Sequence, residues 1–191
     1  MLAFASRVGA AQEQQPMAPG LPLAPFTALR VTVAPVQSWH ADSAGWSRAV
    51  SWATTRLAID STLQAILEER GIGRKWAYAS DMVRIAKRNP TYATDPYSLG
   101  VARLRTMEMK IGAAIPQVLA DNLRPFTALG DTRYALIPFD LRAQGEQVVL
   151  RLVLVDTRAR SLVWAGDLLA PGGARMVEEI ATRVANLVIE P

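Results

Sequence analysis

The sequence predicts an α+β fold: a mixed sheet of about five strands that ends in an antiparallel three-stranded meander, packed with three to five helices. Three observations predict it. The apolar, β-branched stretches Arg133–Leu141, Val148–Asp156 and Ser161–Leu169 are joined only by the short turns Ala143–Gln147 and Thr157–Arg160, and connections that short pair antiparallel neighbours. Stretches of helical periodicity lie before and after the meander. The chain has 191 residues, half hydrophobic and one fifth charged. That is one ordinary domain, able to bury about 70% of its unfolded surface without disulfide or metal.

Residues 1–25 read as a signal-like, Pro-rich N-terminal tail and residues 26–191 as a single α+β domain. Met1–Ala5 is apolar, Val8–Ala11 is small and Gln12–Gln15 is polar, the order of the end of a secretory signal. Gln12–Pro25 holds four prolines and one glycine, an extended tail able to lie across a partner. Leu29–Val36 alternates and is valine-rich, hence a strand, and Pro35 places it at an edge or ends it there. Gln37–Gly45 is a polar loop. Trp46–Leu57 fits a helical face and also fits alternation. Asp60–Gln64 opens a helix, because Ser61 and Gln64 have capping-box spacing, and Gly71 closes it. Lys75–Ala79 is a short strand. Ser80 or Asp81 caps a helix that runs to Arg88 and is ended by Asn89-Pro90. Tyr97–Met109 is helical with Leu99, Val101 and Leu104 inward. Pro116 begins a helix to about Leu123. After Gly172-Gly173 a last helix carries Val177, Ile180, Val184 and Leu187 on one face, with Glu179 and Arg183 paired four residues apart. Pro25-Phe26-Thr27-Ala28-Leu29 recurs as Pro125-Phe126-Thr127-Ala128-Leu129; a shared lead-in or chance explains it as well as duplication does.

The inventory of chemical groups is narrow: one histidine, no cysteine, no phosphate loop and no metal-ligand pattern. The expectation is therefore no catalytic residue, cofactor or metal. His40 has Ser38 and Asp42 beside it, but neighbours in one loop seldom form a nucleophile–base–orienter set. Glu68/Glu69 and Glu178/Glu179 read as solvated helix faces, and Asp156 and Asp167 as turn residues. The net charge is +4 and the pI about 9.8, with eighteen arginines to three lysines. Guanidinium suits carboxylates, phosphates and interface stacking, and codon bias would produce the same excess. No Lys/Arg tract marks a nucleic-acid arm.

Two groups of residues are candidate partner contacts. The first is Trp39, Trp46 and Trp52, three of five tryptophans, which either anchor a partner or a membrane interface or pack into the core. The second is Arg70, Arg74, Lys75, Arg84, Lys87 and Arg88, interleaved with Trp76 and Tyr78. This mixture suits an interface, single-stranded nucleic acid or an ordinary amphipathic helix.

The segments LRVTVAPV, DSTLQAILEERGI, KWAYAS, RYALIPFDL and VVLRLVLVDTRARSLVWAGDL resemble the small α+β modules of exported bacterial envelope proteins: the TolB N-terminal domain, the CsgG type and the lipoprotein activators of penicillin-binding proteins. The best match is Leu152–Asp156 with Ser161–Gly166, a strand that ends in Asp, turns, and returns with an aromatic and a glycine. The resemblance spans roughly residues 29–188 and lacks the family's lipobox cysteine. It implies a non-enzymatic module that binds protein partners in the envelope. The Arg-rich, Ala/Leu/Val-heavy style also looks like exported gemmatimonad proteins. These include the membrane-extrinsic subunits that hold a photosynthetic reaction centre within its light-harvesting ring.

The expectation is thus a non-catalytic, periplasmic, membrane-extrinsic accessory or scaffold subunit. It would bind the protein subunits of a membrane complex, with contact to lipid head groups and none to nucleic acid. The alternatives are an envelope module that binds a small ligand or lipid, and an enzyme using His40.

Overall fold

The computed structural model describes residues 21–42, 45–73 and 75–190. The signal-like segment, most of the Pro-rich tail and Arg74 lie outside the described residues.

The meander forms as the sequence predicts, with longer strands. β3 (Tyr134–Gln144) pairs antiparallel with β4 (Gln147–Asp156), and β4 with β5 (Ser161–Pro171). Two short strands, β1 (Val31–Val33) and β2 (Trp39–His40), run parallel to β3 along its other edge, with Val31 opposite Tyr134 and Trp39 opposite Leu141. The predicted strand Leu29–Val36 is thus cut to three residues. Pro35 has no N–H to give, and β3 itself shifts register between Pro138 and Asp140. Single bonds bridge the gap, Ala34 N–H to Leu136 O at 2.9 Å and Gln37 N–H to Pro138 O at 3.0 Å. The predicted strand Lys75–Ala79 is only a bridge, Ala77 to Thr32.

β3 and β4 are buried on both faces, which is why they read as nearly continuous apolar runs. Alternate residues feed two cores. Leu150, Leu152 and Leu154 face Ile59, Leu63, Ile180 and Val184, which lie on α2 (Trp52–Glu69) and α5 (Met176–Ala185). Val153 and Val155 face Met82, Leu99, Leu104, Leu123 and Phe126. These come from α3 (Ala79–Arg88), a 3-10 turn (Val101–Arg105) with Leu99 just before it, and α4 (Gln117–Leu129). With the one-turn α1 (Gly45–Arg48), the described residues hold five helices and five strands, the α+β class the sequence predicts. Leu23 is fully buried and its N–H bonds Leu187 O at 2.9 Å, so residues 21–25 are part of the folded body.

Helix boundaries moved where a local signal met a tertiary demand. α2 starts at Trp52, nine residues before the predicted cap Ser61. Ser61 therefore sits mid-helix and bonds back to Ala58 O at 3.1 Å. α3 is closed at its start by Asp81 Oδ2, which accepts the Tyr78 N–H at 2.9 Å. The predicted helix Tyr97–Met109 is one 3-10 turn, entered through Gly100 at φ +81°, although Leu99, Val101 and Leu104 are buried as expected. α4 runs past Leu123 and through Pro125 to Leu129. The two Pro-Phe-Thr-Ala-Leu copies differ in conformation: the first enters a 3-10 turn (Ala24–Phe26) and the second lies inside α4. Glu179 and Arg183 do pair, at 3.3 Å.

Candidate interaction surface

Register fixes two poles. The β3–β4 hairpin (Gly145, Glu146) and the end of β5 lie at one; the starts of β1 and β3 and the β4–β5 turn lie at the other.

The hairpin pole carries the tryptophans. Trp39 stacks on Trp52 (centroids 6.1 Å, planes 16° apart) and meets Trp46 at 6.2 Å, tilted. All three pack on the α2/α5 core and stay half-buried. Trp46 Nε1 donates to Gly145 O at 2.8 Å. Its ring lies so close to Gly172 that a Cβ there would sit 2.3 Å from Cζ2. Of the two readings of the cluster, the structure gives the rings intramolecular work, with their outer edges left to solvent.

Close by, Asp140 is wholly buried. His40 Nε2 lies 3.0 Å from its Oδ1, Ser38 Oγ donates to the same oxygen at 3.1 Å, and Arg142 Nε donates to Oδ2 at 2.6 Å. Arg105 Nη1 stands 3.1 Å from His40 Nε2. Ser38 and His40 hang on one carboxylate, whereas a relay requires the hydroxyl to donate to the imidazole. Asp42 is spent on the hairpin, accepting the Gly145 N–H at 3.0 Å. Among the described residues no group of three metal-ligating side chains occurs, and no helix is long and apolar enough to cross a membrane.

The opposite pole is basic. The interleaved pattern of Arg70–Arg88 separates in space. Trp76 (4% exposed) and Tyr78 (2%) point into the core, Trp76 Nε1 reaching Phe26 O at 3.4 Å. The reading of Trp76 as a partner anchor gives way to a core role, because its side chain is buried in the same core as Val31, Val33 and Leu67. Arg70 is tied to the C-terminal segment through Asn186 Oδ1 (2.7 Å) and Ile189 O (3.1 Å). Lys87 is exposed beside a shallow dip next to Pro90. Lys75, Arg84 and Arg88 come together with Arg30 around a cleft of about 370 Å³ between α3 and the end of α4.

A second cleft of about 430 Å³ flanks α4 on its other side, lined by Arg124, Arg158 and Arg160; the two share Thr132. Together they are lined by seven basic side chains and two carboxylates, an excess of five where the whole chain nets +4. Both carboxylates are committed, Asp81 to Arg84 and Asp131 to Arg30. Sequence reasoning missed the second cleft. Arg158 and Arg160 were visible as two arginines in one tight turn, but Arg124 joins them only through the fold.

Asp156 builds that turn. Its Oδ1 accepts the Arg158 and Ala159 N–H groups at 2.9 and 3.0 Å, and its Oδ2 accepts Arg133 Nε and Nη2 at 2.9 and 2.6 Å. Burial alone would raise its pKa; the Arg133 and backbone bonds outweigh burial and hold it below the usual carboxylate value. The strand–Asp–turn–aromatic–Gly pattern acquires a physical meaning here: Asp caps the turn, and the Trp164 ring lies over Gly166, where a Cβ would come within 2.5 Å of it.

No family model matches this chain, and no curated protein matches it by sequence. Solved structures similar in fold include the following three. LpoB of E. coli is 11% identical with a TM-score of 0.44, over 90% of this chain and 81% of that one. The PelC dodecamer subunit of Paraburkholderia phytofirmans is 13% identical with a TM-score of 0.39, over 89% and 95%. Lipoprotein GNA1162 of Neisseria meningitidis is 13% identical with a TM-score of 0.38, over 83% and 97%. The last of these is a lipoprotein, and none of the three is a photosystem subunit. At TM-scores below 0.5 the likeness is one of outline, and no residue role is carried across from it.

Proposed function

We propose that this chain is a non-catalytic accessory module that docks on an acidic face of a larger protein assembly, using the cleft lined by Arg30, Lys75, Arg84 and Arg88. The observation that carries the reading is the charge separation. More positive charge than the chain's entire net excess is gathered at one pole, around concave surface in which the carboxylates present are already paired. Self-repulsion makes such a gathering costly unless an anionic partner offsets it. A periplasmic, membrane-peripheral location is supported by the signal-like order of residues 1–15 and by the envelope-module resemblance. The finer reading, a subunit held on a photosynthetic reaction centre with its antenna, is supported by sequence style alone.

Affinity purification of the tagged chain from mildly solubilised native membranes tests the docking. The wild-type chain is expected to bring down a stable assembly, and Lys75→Glu with Arg88→Glu to lose it while keeping the same circular dichroism spectrum. A monomer without a partner, or reversal variants that co-purify as well as wild type, would overturn the proposal. The same eluate separates the finer reading, since bacteriochlorophyll absorbance would accompany a photosystem.

A further inference from the structure

We infer that the second cleft, between α4 and the β4–β5 turn, is a binding site for a phosphate group, carried either by a small soluble ligand or by a lipid head. Three guanidinium groups border it: Arg124 from α4, and Arg158 and Arg160 from the turn. Among the described residues Arg124 and Arg158 have no carboxylate within ion-pair distance. Arg160 has only a long bond to the neutral Gln117 Oε1, at 3.4 Å. Asp131, the carboxylate on the rim, is engaged by Arg30, and Asp121 on α4 is held by Gln117 Nε2 at 2.8 and 2.9 Å. Among the described residues none of the three guanidinium groups is thus held in a direct ion pair.

The threonines define the ligand further. Thr127 Oγ1 donates to the carbonyls of Leu123 and Arg124, Thr157 Oγ1 donates to Arg133 O at 2.7 Å, and Thr132 Oγ1 shares its bond with Thr32 Oγ1 at 2.6 Å. With the Thr127 and Thr157 hydroxyls donating elsewhere, the charged donors lining the cleft are the guanidinium forks. A carboxylate has two oxygens and satisfies two forks at most; a tetrahedral phosphate with three or more acceptor oxygens can engage all three arginines.

The backbone holds the arginines in place. Asp156 fixes the turn through the Arg158 and Ala159 amides. Arg160 occupies a left-handed position, φ +53°, where glycine would be cheaper. The site differs from the docking cleft proposed above, so either can fail without the other.

Titration of the full chain with inorganic pyrophosphate, followed by thermal shift and calorimetry, tests the inference. Saturable binding is expected in the wild type. Arg124→Gln with Arg158→Gln should weaken it at least tenfold, and Arg175→Gln, at the hairpin pole, should not. Arg160→Gly should weaken binding without lowering Tm, which separates lost contact from lost fold. Co-sedimentation with phosphatidylglycerol vesicles against phosphatidylcholine vesicles distinguishes the sources. Selective sedimentation that pyrophosphate competes away assigns a lipid head, and pyrophosphate binding without sedimentation assigns a soluble ligand. Absence of saturable binding in both arms, or equal binding by wild type and the double variant, would overturn the site.

Discussion

Asp60 lies in the interior of α2 with one oxygen accepting the Val36 N–H at 3.2 Å and the other, Oδ2, buried without a partner. Burial pushes its carboxyl from 3.8 to about 7, and the Val36 bond and the Arg56 charge offset only part of that. Below pH 3.8 the carboxyl is protonated in folded and unfolded chains alike and contributes nothing to pH dependence. Between about pH 4 and 7 the unfolded chain ionises first, so stability falls as pH rises, and the loss is complete above 7. The full span corresponds to on the order of 4 kcal/mol. Asp60→Asn keeps an acceptor for Val36 and removes the charge. It should raise Tm by several degrees at pH 8 and hardly at pH 4, as read by thermal melts across pH; an unchanged melt at pH 8 would refute the assignment. Arg160 allows a second test at this scale. If its left-handed backbone is strained, Arg160→Gly should add about 1 kcal/mol in urea unfolding.

Among the elements, the tryptophan cluster is the joint between the two-residue β2, the one-turn α1 and the start of α2. None of these has enough internal hydrogen bonding to hold alone, so ring packing fixes them together. Gly172 is at φ −79°, an ordinary conformation, and any cost of Gly172→Ala is therefore steric: the methyl group must displace the Trp46 ring. About 1–3 kcal/mol of destabilisation is expected, with a shift in tryptophan emission; a silent substitution would show that the ring is not seated there. The elements also show what sequence could and could not disclose. The meander was legible because strands buried on both faces write unbroken apolar runs, and the α5 face because Ile180 and Val184 keep helical spacing. The start of α2 was not, since Ser61 and Gln64 have the spacing of a cap inside a helix that begins at Trp52. Trp76 and Tyr78 looked like surface because their basic neighbours are exposed, and alternation across a short extended segment sends the aromatics inward. The Arg124–Arg158 juxtaposition was invisible because nothing local links residues 34 positions apart.

At the scale of the whole molecule the separation of poles governs how it would meet a partner. Exposed charges act over a Debye length of about 10 Å at 0.1 M salt and about 3 Å at 1 M. The basic pole would thus steer an acidic surface before contact, and the uncharged tryptophan edges would not. Steering changes the association rate far more than the dissociation rate. Raising salt from about 0.05 to 0.3 M should therefore slow capture of the partner roughly tenfold with little effect on release. Lys75→Glu with Arg88→Glu should abolish both the capture and its salt dependence, and Arg175→Gln should change neither. Surface plasmon resonance of the chain against the assembly recovered from membranes reads both rates. Should the complex form through the tryptophan edges instead, its association rate would be flat in salt, and a flat profile would exclude the basic pole as the docking face.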